Sequence, residues 1–494
     1  MSEQQATAVA ESDVLDSREA GGRIIRGGGL RVASYVAGIL IGLISAPLLV
    51  RHLSVADYGL YATVSSIVVV VMGITEGGLG NVAIREYATA DGAERRRILD
   101  SLLGLRVALA ALGAVAAIAF TLIASYPAAV TIGVAIAGLS LFFGAWQATL
   151  IVALQAELRL GSLAGIDFAR QVATTVLVVV LVVAGVGLIP FFTVPATGAA
   201  VLLLVTIRAA GGAMSLRPRM HVERWKHLLR QTAVYAVATA LGVLYFQIAI
   251  IATSLLSTHE QAGYYGASFR IIDIANGVPW LLASSAFPLL ARSAHNDADR
   301  LRYATGRLFE TAAVTGGAFC VAIAVGAPFA LQVVGGDKLD PAIPTLRLLA
   351  AGVPFTFLVA TWAFTLLSLH RHRSLLAANG LAVVTALVLS AVLVGSNGAR
   401  GAAITTVALE AVLATAYGVA LTRARPDLRP PLVRAVRVLA ALGGALATGF
   451  LLPVGVVPAT FAALAVYGVL ALVLRAVPPE IAEALRARLI PARP

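Results

Sequence analysis

Three polar side chains, Arg270, Asp273 and Asn276, interrupt an apolar segment at intervals of three residues. Residues three and four apart lie on one face of a helix, so this spacing predicts a row that holds a guanidinium, a carboxylate and a carboxamide. The planar guanidinium of arginine binds phosphate oxygens through paired hydrogen bonds. The row is therefore a candidate site for a group that carries phosphate. The alternative is that Arg270 and Asp273 neutralise each other and hold helices together.

Three further charged groups, Arg31, Glu76 and Glu410, stand in or beside long apolar runs. An ionisable group at bilayer depth is costly unless it is paired or hydrated, which makes each of them a candidate functional group. Arg31 is a second candidate arginine for the same phosphate-bearing group. Glu410 is a candidate for proton or sodium coupling, or alternatively for a hydrogen bond between helices. Glu76, like Asp273 and Asn276, is a candidate polar group of a cleft. The alternative for Glu76 is a helix-end residue packed in a glycine-rich crossing.

Arg106 and Glu310 also fall in apolar stretches, each within two turns of a predicted helix end. Long polar side chains near helix ends extend to the lipid headgroups. We expect both residues to anchor helix ends in this way; the alternative is a functional role at bilayer depth.

The elements that must position these groups are membrane helices. The 494-residue chain is 59% hydrophobic and 13% charged, with a mean hydropathy of +0.90. About 20 apolar residues in a helix cross the hydrocarbon core, so the longer uncharged runs, such as 107–156, must each contain two crossings. The sequence predicts an all-α membrane protein of about 14 transmembrane helices. They are expected near 32–50, 59–80, 102–124, 128–153, 167–186, 191–207, 231–253, 266–290, 308–333, 343–368, 375–394, 401–421, 436–452 and 458–474.

Basic residues set the predicted orientation, because lysine and arginine near helix ends resist translocation. Most of the 37 lysines and arginines fall on one side of the predicted helices, which places both termini in the cytoplasm. The net charge of +12 then faces anionic inner-leaflet lipid, which argues against nucleic acid as a partner.

Motifs for catalysis are missing from the sequence. The Asp297-Ala298-Asp299 motif stands among arginines in a short predicted loop, which favours a solvated charge run over a metal-bound sugar nucleotide site. There is no phosphate-binding loop and no paired set of zinc ligands. We expect no catalytic residue, no metal and no cofactor, and no predicted loop is long enough to hold a soluble catalytic domain.

A polar turn appears twice along the chain. The stretch "LSVADYGLYATVSSIV" at 53–68 is echoed by "LSTHEQAGYYGASFRII" at 256–272: Leu-Ser, then an acidic residue (Asp57 or Glu260), then Gly-x-Tyr. Such an echo predicts two like-oriented, pseudo-symmetric six-helix bundles followed by two extra C-terminal helices. The predicted parts are a cytoplasmic tail (1–28), the N-terminal bundle (29–208), an inter-bundle loop (209–230), the C-terminal bundle (231–422), the extra helices (423–477) and a second tail (478–494).

The stretch from Arg51 to Ala88 resembles the N-terminal signature of polysaccharide biosynthesis membrane proteins, the Wzx-type oligosaccharide flippases. The matching features are the Asp57-Tyr58-Gly59 turn, the Glu76-Gly-Gly-Leu-Gly stretch and Arg85, with "AGYYGASFRI" and "FPLL" in the second half. The superfamily of these flippases also holds lipid II flippases and multidrug and toxin extrusion antiporters.

The resemblance implies a non-enzymatic function. It suggests a flippase of the cytoplasmic membrane that moves a polyprenyl-pyrophosphate-linked oligosaccharide by alternating access for surface polysaccharide assembly. Arg270 and Arg31 would then bind the pyrophosphate. Membrane lipid, a polysaccharide polymerase and glycosyltransferases are the further partners that it suggests. The alternatives are an ion-coupled drug antiporter of the same superfamily and a lipid II flippase.

Overall fold

A computed structural model describes residues 38, 41–42, 44–156, 160–210, 217–429 and 432–477. Within these ranges the regular structure is helical and there is no β-strand, which confirms the all-α prediction. The helices are α1 (44–52), α2 (Val55–Glu76), α3 (Leu79–Thr89), α4 (Gly92–Ile123), α5 (Ala128–Ala137), α6 (Leu139–Ala156), α7 (Leu160–Val183), α8 (Leu188–Phe191), α9 (Thr193–Ala209), α10 (Val222–Leu256), α11 (His259–Asn296), α12 (Ala298–Gly335), α13 (Ile343–Ala350), α14 (Val353–Ser368), α15 (His372–Ala424), α16 (Leu432–Leu451) and α17 (Val456–Val473).

Ten helical stretches of the described chain are long and apolar enough to cross a membrane. The prediction of a multi-pass membrane protein is therefore confirmed, whereas the number of fourteen crossings stays a prediction. The two longest stretches have 71 and 53 residues, far more than the roughly 20 that one crossing needs. The 53-residue stretch is α15, and it is interrupted at Gly398, whose φ of 53° and ψ of −129° are not helical. We therefore describe α15 as two arms, before and after Gly398.

By its internal contacts the chain divides into two compact units. Unit 1 comprises the described residues of 1–49, 75–123 and 131–236, and unit 2 comprises those of 50–74, 124–130 and 237–494. The core of unit 1 holds buried side chains of α3, α4, α6 and α10, among them Leu79, Leu102 and Val152. A core of unit 2 holds α12, α14 and both arms of α15, with Trp362 and Leu413 among its buried members.

The C-terminal helices α16 and α17 pack on α12 within unit 2. The Tyr467 hydroxyl of α17 donates to the carbonyl oxygen of Val314 at 2.8 Å, over Gly317, where a Cβ would overlap the phenol ring. Glu310 is buried and forms ion pairs with Arg307, at 2.8 Å, and with Arg434 of α16. The expectation that Glu310 extends to the headgroups is therefore wrong, because two guanidinium groups satisfy its carboxylate inside the protein.

Part of the predicted loop 209–230 is helical, since α10 begins at Val222. The residues 217–221 before it are not helical and are held against α4. The Asp100 carboxylate accepts from the backbone N–H of Arg217 at 3.0 Å, and the Asp100 carbonyl accepts from the N–H of Arg219 at 3.1 Å. A Cβ at Gly104 would overlap the backbone of Arg219, so glycine permits this close approach.

Candidate functional site

Hydroxyl groups cap the two helices that follow the repeated polar turns. The Ser54 hydroxyl accepts from the backbone N–H of Asp57 at 3.0 Å and donates to its carboxylate at 2.7 Å, at the start of α2. The Thr258 hydroxyl accepts from the backbone N–H of Gln261 at 3.2 Å, at the start of α11. By its position after the capping hydroxyl, Asp57 therefore corresponds to Gln261 and not to Glu260, the acidic residue directly before it.

The glycines of the repeated Gly-x-Tyr motif form a reciprocal crossing of α2 and α11 inside unit 2. A Cβ at Gly59 would overlap the carbonyl oxygen of His259, four residues before Gly263. A Cβ at Gly263 would overlap the carbonyl oxygen of Val55, four residues before Gly59. Such reciprocity is what a local pseudo-two-fold axis produces. The sequence echo therefore marks a symmetric backbone contact.

The predicted polar row lies on α11. A nitrogen of the Arg270 guanidinium is 3.6 Å from a carboxylate oxygen of Asp273, and the two side chains are 51% and 52% exposed. This separation is longer than a hydrogen bond, so the ion pair leaves the guanidinium donors open to another acceptor. Asn276 is buried, and its Oδ1 has no hydrogen-bond partner in the described part of the chain.

Glu410 is buried in the second arm of α15, with 3% of its surface exposed. One carboxylate oxygen has no hydrogen-bond partner among the described residues. A buried polar pair lies on the same two arms of α15, where the Tyr417 hydroxyl donates to Asn379 Oδ1 at 2.7 Å. The carboxylate is thus protected from solvent and only partly satisfied.

Glu76 ends α2 in unit 1, followed by Gly77 and Gly78, which both have positive φ. Its carboxylate forms an ion pair with Arg106 of α4 at 3.0 Å, and Arg106 also donates to the Thr149 hydroxyl of α6 at 3.2 Å. The side chains are 2% exposed for Arg106 and 38% for Glu76. The expectation that Arg106 extends to the headgroups is therefore wrong: neighbouring helices enclose it. Opposite charges in two apolar helices were the available signal for this pair.

Arg31, the second predicted pyrophosphate ligand, lies outside the described residues. Arg270, Asp273 and Glu410 fall within unit 2, and Glu76 within unit 1. The part of the chain that the structure describes holds no cluster of three or more His, Cys, Asp or Glu side chains that could bind a metal ion.

Known proteins share this architecture. The family described as polysaccharide biosynthesis protein matches residues 48–344, more than half of the chain. Among solved structures, the lipid II flippase MurJ in an inward closed conformation has a TM-score of 0.76 at 11% identity, covering 90% of this chain and 99% of that one. An inward-facing multidrug resistance MATE family transporter has a TM-score of 0.64 at 14% identity, covering 80% and 97%.

A transporter of the MOP superfamily from Pyrococcus furiosus has a TM-score of 0.54 at 16% identity, covering 81% of this chain and 94% of that one. No curated protein matches the chain. The chain belongs to the polysaccharide biosynthesis protein family and has the fold of the MOP-superfamily transporters.

Proposed function

We propose that the protein is a flippase that moves a polyprenyl-pyrophosphate-linked oligosaccharide across the cytoplasmic membrane by alternating access, for surface polysaccharide assembly. The observation that carries this proposal is the half-exposed guanidinium of Arg270 on α11, in a chain of the polysaccharide biosynthesis family. A pyrophosphate is too costly to move through hydrocarbon unless its charge is compensated. Arginine supplies that charge with a matching pair of donors.

Asp273 gives the site a means of release. Its carboxylate already attracts the Arg270 guanidinium, so a bound pyrophosphate competes with a carboxylate for the same cation. Like charges close together repel, so Asp273 lowers the affinity for the anion. A transporter needs such moderate binding, because a substrate that binds too tightly leaves slowly. Asn276 lies one turn further along α11, where its buried and unpaired Oδ1 is an acceptor for a sugar hydroxyl.

No bond is made or broken in this relocation, so the proposed function needs no catalytic residue. The lipid tail stays in the bilayer while the pyrophosphate and sugars cross. Arg31 remains a proposed second ligand of the pyrophosphate. We place the protein in the cytoplasmic membrane with both termini in the cytoplasm, beside the glycosyltransferases and the polymerase that supply and consume such a substrate.

The substitution Arg270→Ala tests the site. In cells whose own flippase gene is deleted and replaced by this one, we expect export of polymer to fall about tenfold or more, as the loss of a charged hydrogen-bonding group predicts. Lipid-linked oligosaccharide should accumulate on the inner face, which is measured by its protection from an externally added glycosidase. Arg270→Lys keeps the charge without the paired donors and should be intermediate.

Arg400→Ala is the matched control, because Arg400 is an exposed arginine of unit 2 outside the polar row on α11. Export in that variant should equal the wild type. Unimpaired export by Arg270→Ala at normal protein levels would contradict the role of this residue.

We further propose that Glu410 couples transport to a proton or sodium gradient. In vesicles, Glu410→Gln should abolish the acceleration of transport by an imposed gradient, because an amide of the same shape cannot exchange a proton or balance a cation. If the variant lowers the melting temperature and keeps the full response to the gradient, Glu410 is a structural hydrogen-bonding group instead.

The second candidate function is ion-coupled antiport of small molecules. The fold shared with the MATE transporter, together with the buried carboxylate of Glu410, favours this alternative. The MurJ fold likewise keeps lipid II flipping as a candidate. Expression in a drug-sensitive strain, and in a strain depleted of its lipid II flippase, separates these functions from oligosaccharide flipping. Rescue in either strain, without polymer export, would replace our proposal.

A further inference from the structure

A groove of about 760 Å³ runs along the outside of α15, where its two arms lie side by side. One face of each arm lines the groove. Nearly half of the lining residues are alanines, including Ala377 and Ala416, and their small side chains leave the space open. Ala377 and Thr415 of the lining are exposed. The volume is in the range of 300 to 1,000 Å³ that is usual for small-molecule sites.

Two arginines lie at the same end of this groove, one on each arm. Arg371 precedes the first arm and Arg423 is in the last turn of the second, so both fall at the end predicted to face the cytoplasm. Both side chains are exposed, and neither forms an ion pair within the described ranges. The neighbouring Arg425, in contrast, is held by Asp427 through two hydrogen bonds of 2.9 and 2.8 Å. The groove is therefore basic at its cytoplasmic end and apolar along its length.

We propose that this groove binds an anionic phospholipid of the inner leaflet, with the phosphate between Arg371 and Arg423 and one acyl chain along the alanines. Basic pockets between transmembrane helices on the cytoplasmic side are suited to anionic headgroups. The depth agrees with one leaflet: from residue 371 to residue 381 the helix rises about 15 Å, half of a hydrocarbon core of about 30 Å. Arg270, in the proposed transport site, is not part of this groove, so the proposed lipid site does not depend on the proposed transport function.

Ser374 and Thr415 add hydroxyl groups to the lining at two depths. Ser374 lies one turn from Arg371 and can donate to a phosphate oxygen or an ester carbonyl. Thr415 bonds the Ala411 carbonyl of its own helix at 2.7 Å, so its hydroxyl proton is already used. Polarity therefore falls from the arginines toward the membrane centre, as it does along a phospholipid.

Purified full-length protein in nanodiscs tests the proposal. Nanodiscs of phosphatidylcholine alone are compared with discs that also contain phosphatidylglycerol, and native mass spectrometry counts the lipids retained. We expect retention of phosphatidylglycerol by the wild type and about 30-fold weaker retention by Arg371→Gln/Arg423→Gln, from the contribution of two basic residues near a surface. The control Arg292→Gln/Arg373→Gln removes the same charge from exposed arginines outside the groove and should retain the lipid.

A second variant keeps every charge and fills the apolar part of the groove. Ala377→Leu/Thr415→Leu should also reduce retention, whereas a purely electrostatic attraction to the protein surface would leave it unchanged. Equal retention by wild type and the Arg371/Arg423 variant overturns the proposal. Preferential retention of undecaprenyl phosphate over phosphatidylglycerol assigns the groove to a prenyl lipid and also overturns it. A change of oligomeric state in the filled variant, with lipid retention unchanged, makes the groove a contact between copies and overturns it as well.

Discussion

Glu76→Ala is expected to lower the free energy of unfolding by about 3 to 5 kcal/mol, because it leaves Arg106 charged and unpaired inside the helical unit. The Arg106 side chain is only 2% exposed, and its Nε has no hydrogen-bond partner in the described chain even with Glu76 present. After the substitution, the Thr149 hydroxyl at 3.2 Å is the acceptor that remains close to the guanidinium. Unfolding by titration with sodium dodecyl sulfate measures the loss.

Replacing both members of the pair distinguishes a buried charge from a merely lost contact. Glu76→Leu/Arg106→Met removes both charges and keeps apolar volume, so its stability should return close to that of the wild type. Glu223→Ala is the matched control, since Glu223 pairs with Lys226 at a similar 3.2 Å but both side chains are largely exposed. Exposed pairs contribute about 1 kcal/mol or less. Equal losses for Glu76→Ala and Glu223→Ala would contradict the burial argument.

The helical architecture could be predicted from the sequence because apolar runs of sufficient length permit few other structures in a membrane. The apolar runs predict where a helix lies but not where it ends. The helix α10 begins nine residues before its predicted start, because the polar residues after Val222 continue the helix outside the apolar run. The proximity of Arg270 and Asp273 was predictable too, since both lie on one helix and their spacing alone puts them on one face.

Contacts between helices could not be predicted in the same way. Arg106 and Glu76 lie on different helices, and hydropathy carries no information about which turn of one helix faces which turn of another. The same holds for Glu310 and Arg434, whose pairing joins α12 to α16. A single sequence shows that a buried charge needs a partner, and it does not show which residue that partner is.

The Gly59–Gly263 crossing is an exception, because each copy of the repeated motif contains one of the two glycines. The echo predicted two like-oriented bundles from motif order, and the structure adds that the repeated glycines meet each other's helix at its first turn. Their occurrence in both copies of the repeat has a steric reason: any side chain at either position overlaps a backbone carbonyl oxygen. A backbone cannot move aside as a flexible side chain does.

Gly59→Ala is therefore expected to destabilise the protein by about 1 to 3 kcal/mol, the usual cost of forcing an extra methyl group into a close-packed contact. Gly263→Ala should have a similar effect, because its methyl group meets Val55 as that of Gly59→Ala meets His259. The double variant should lose less stability than the sum of the two single losses, since one separation of α2 from α11 relieves both overlaps. Melting temperatures of the two single variants and the double variant in detergent measure this coupling.

Gly306→Ala supplies the matched control for the crossing. Gly306 lies inside α12, and a Cβ there would meet no atom within 4 Å. Alanine stabilises an unhindered helix position by about 1 kcal/mol relative to glycine, so this variant should melt at or above the wild-type temperature. The same preference acts at positions 59 and 263, where the steric overlap must first overcome it. Equal melting temperatures for Gly59→Ala, Gly263→Ala and Gly306→Ala would show that α2 and α11 separate at the crossing without cost. The reciprocal contact would then have no part in holding the two helices together.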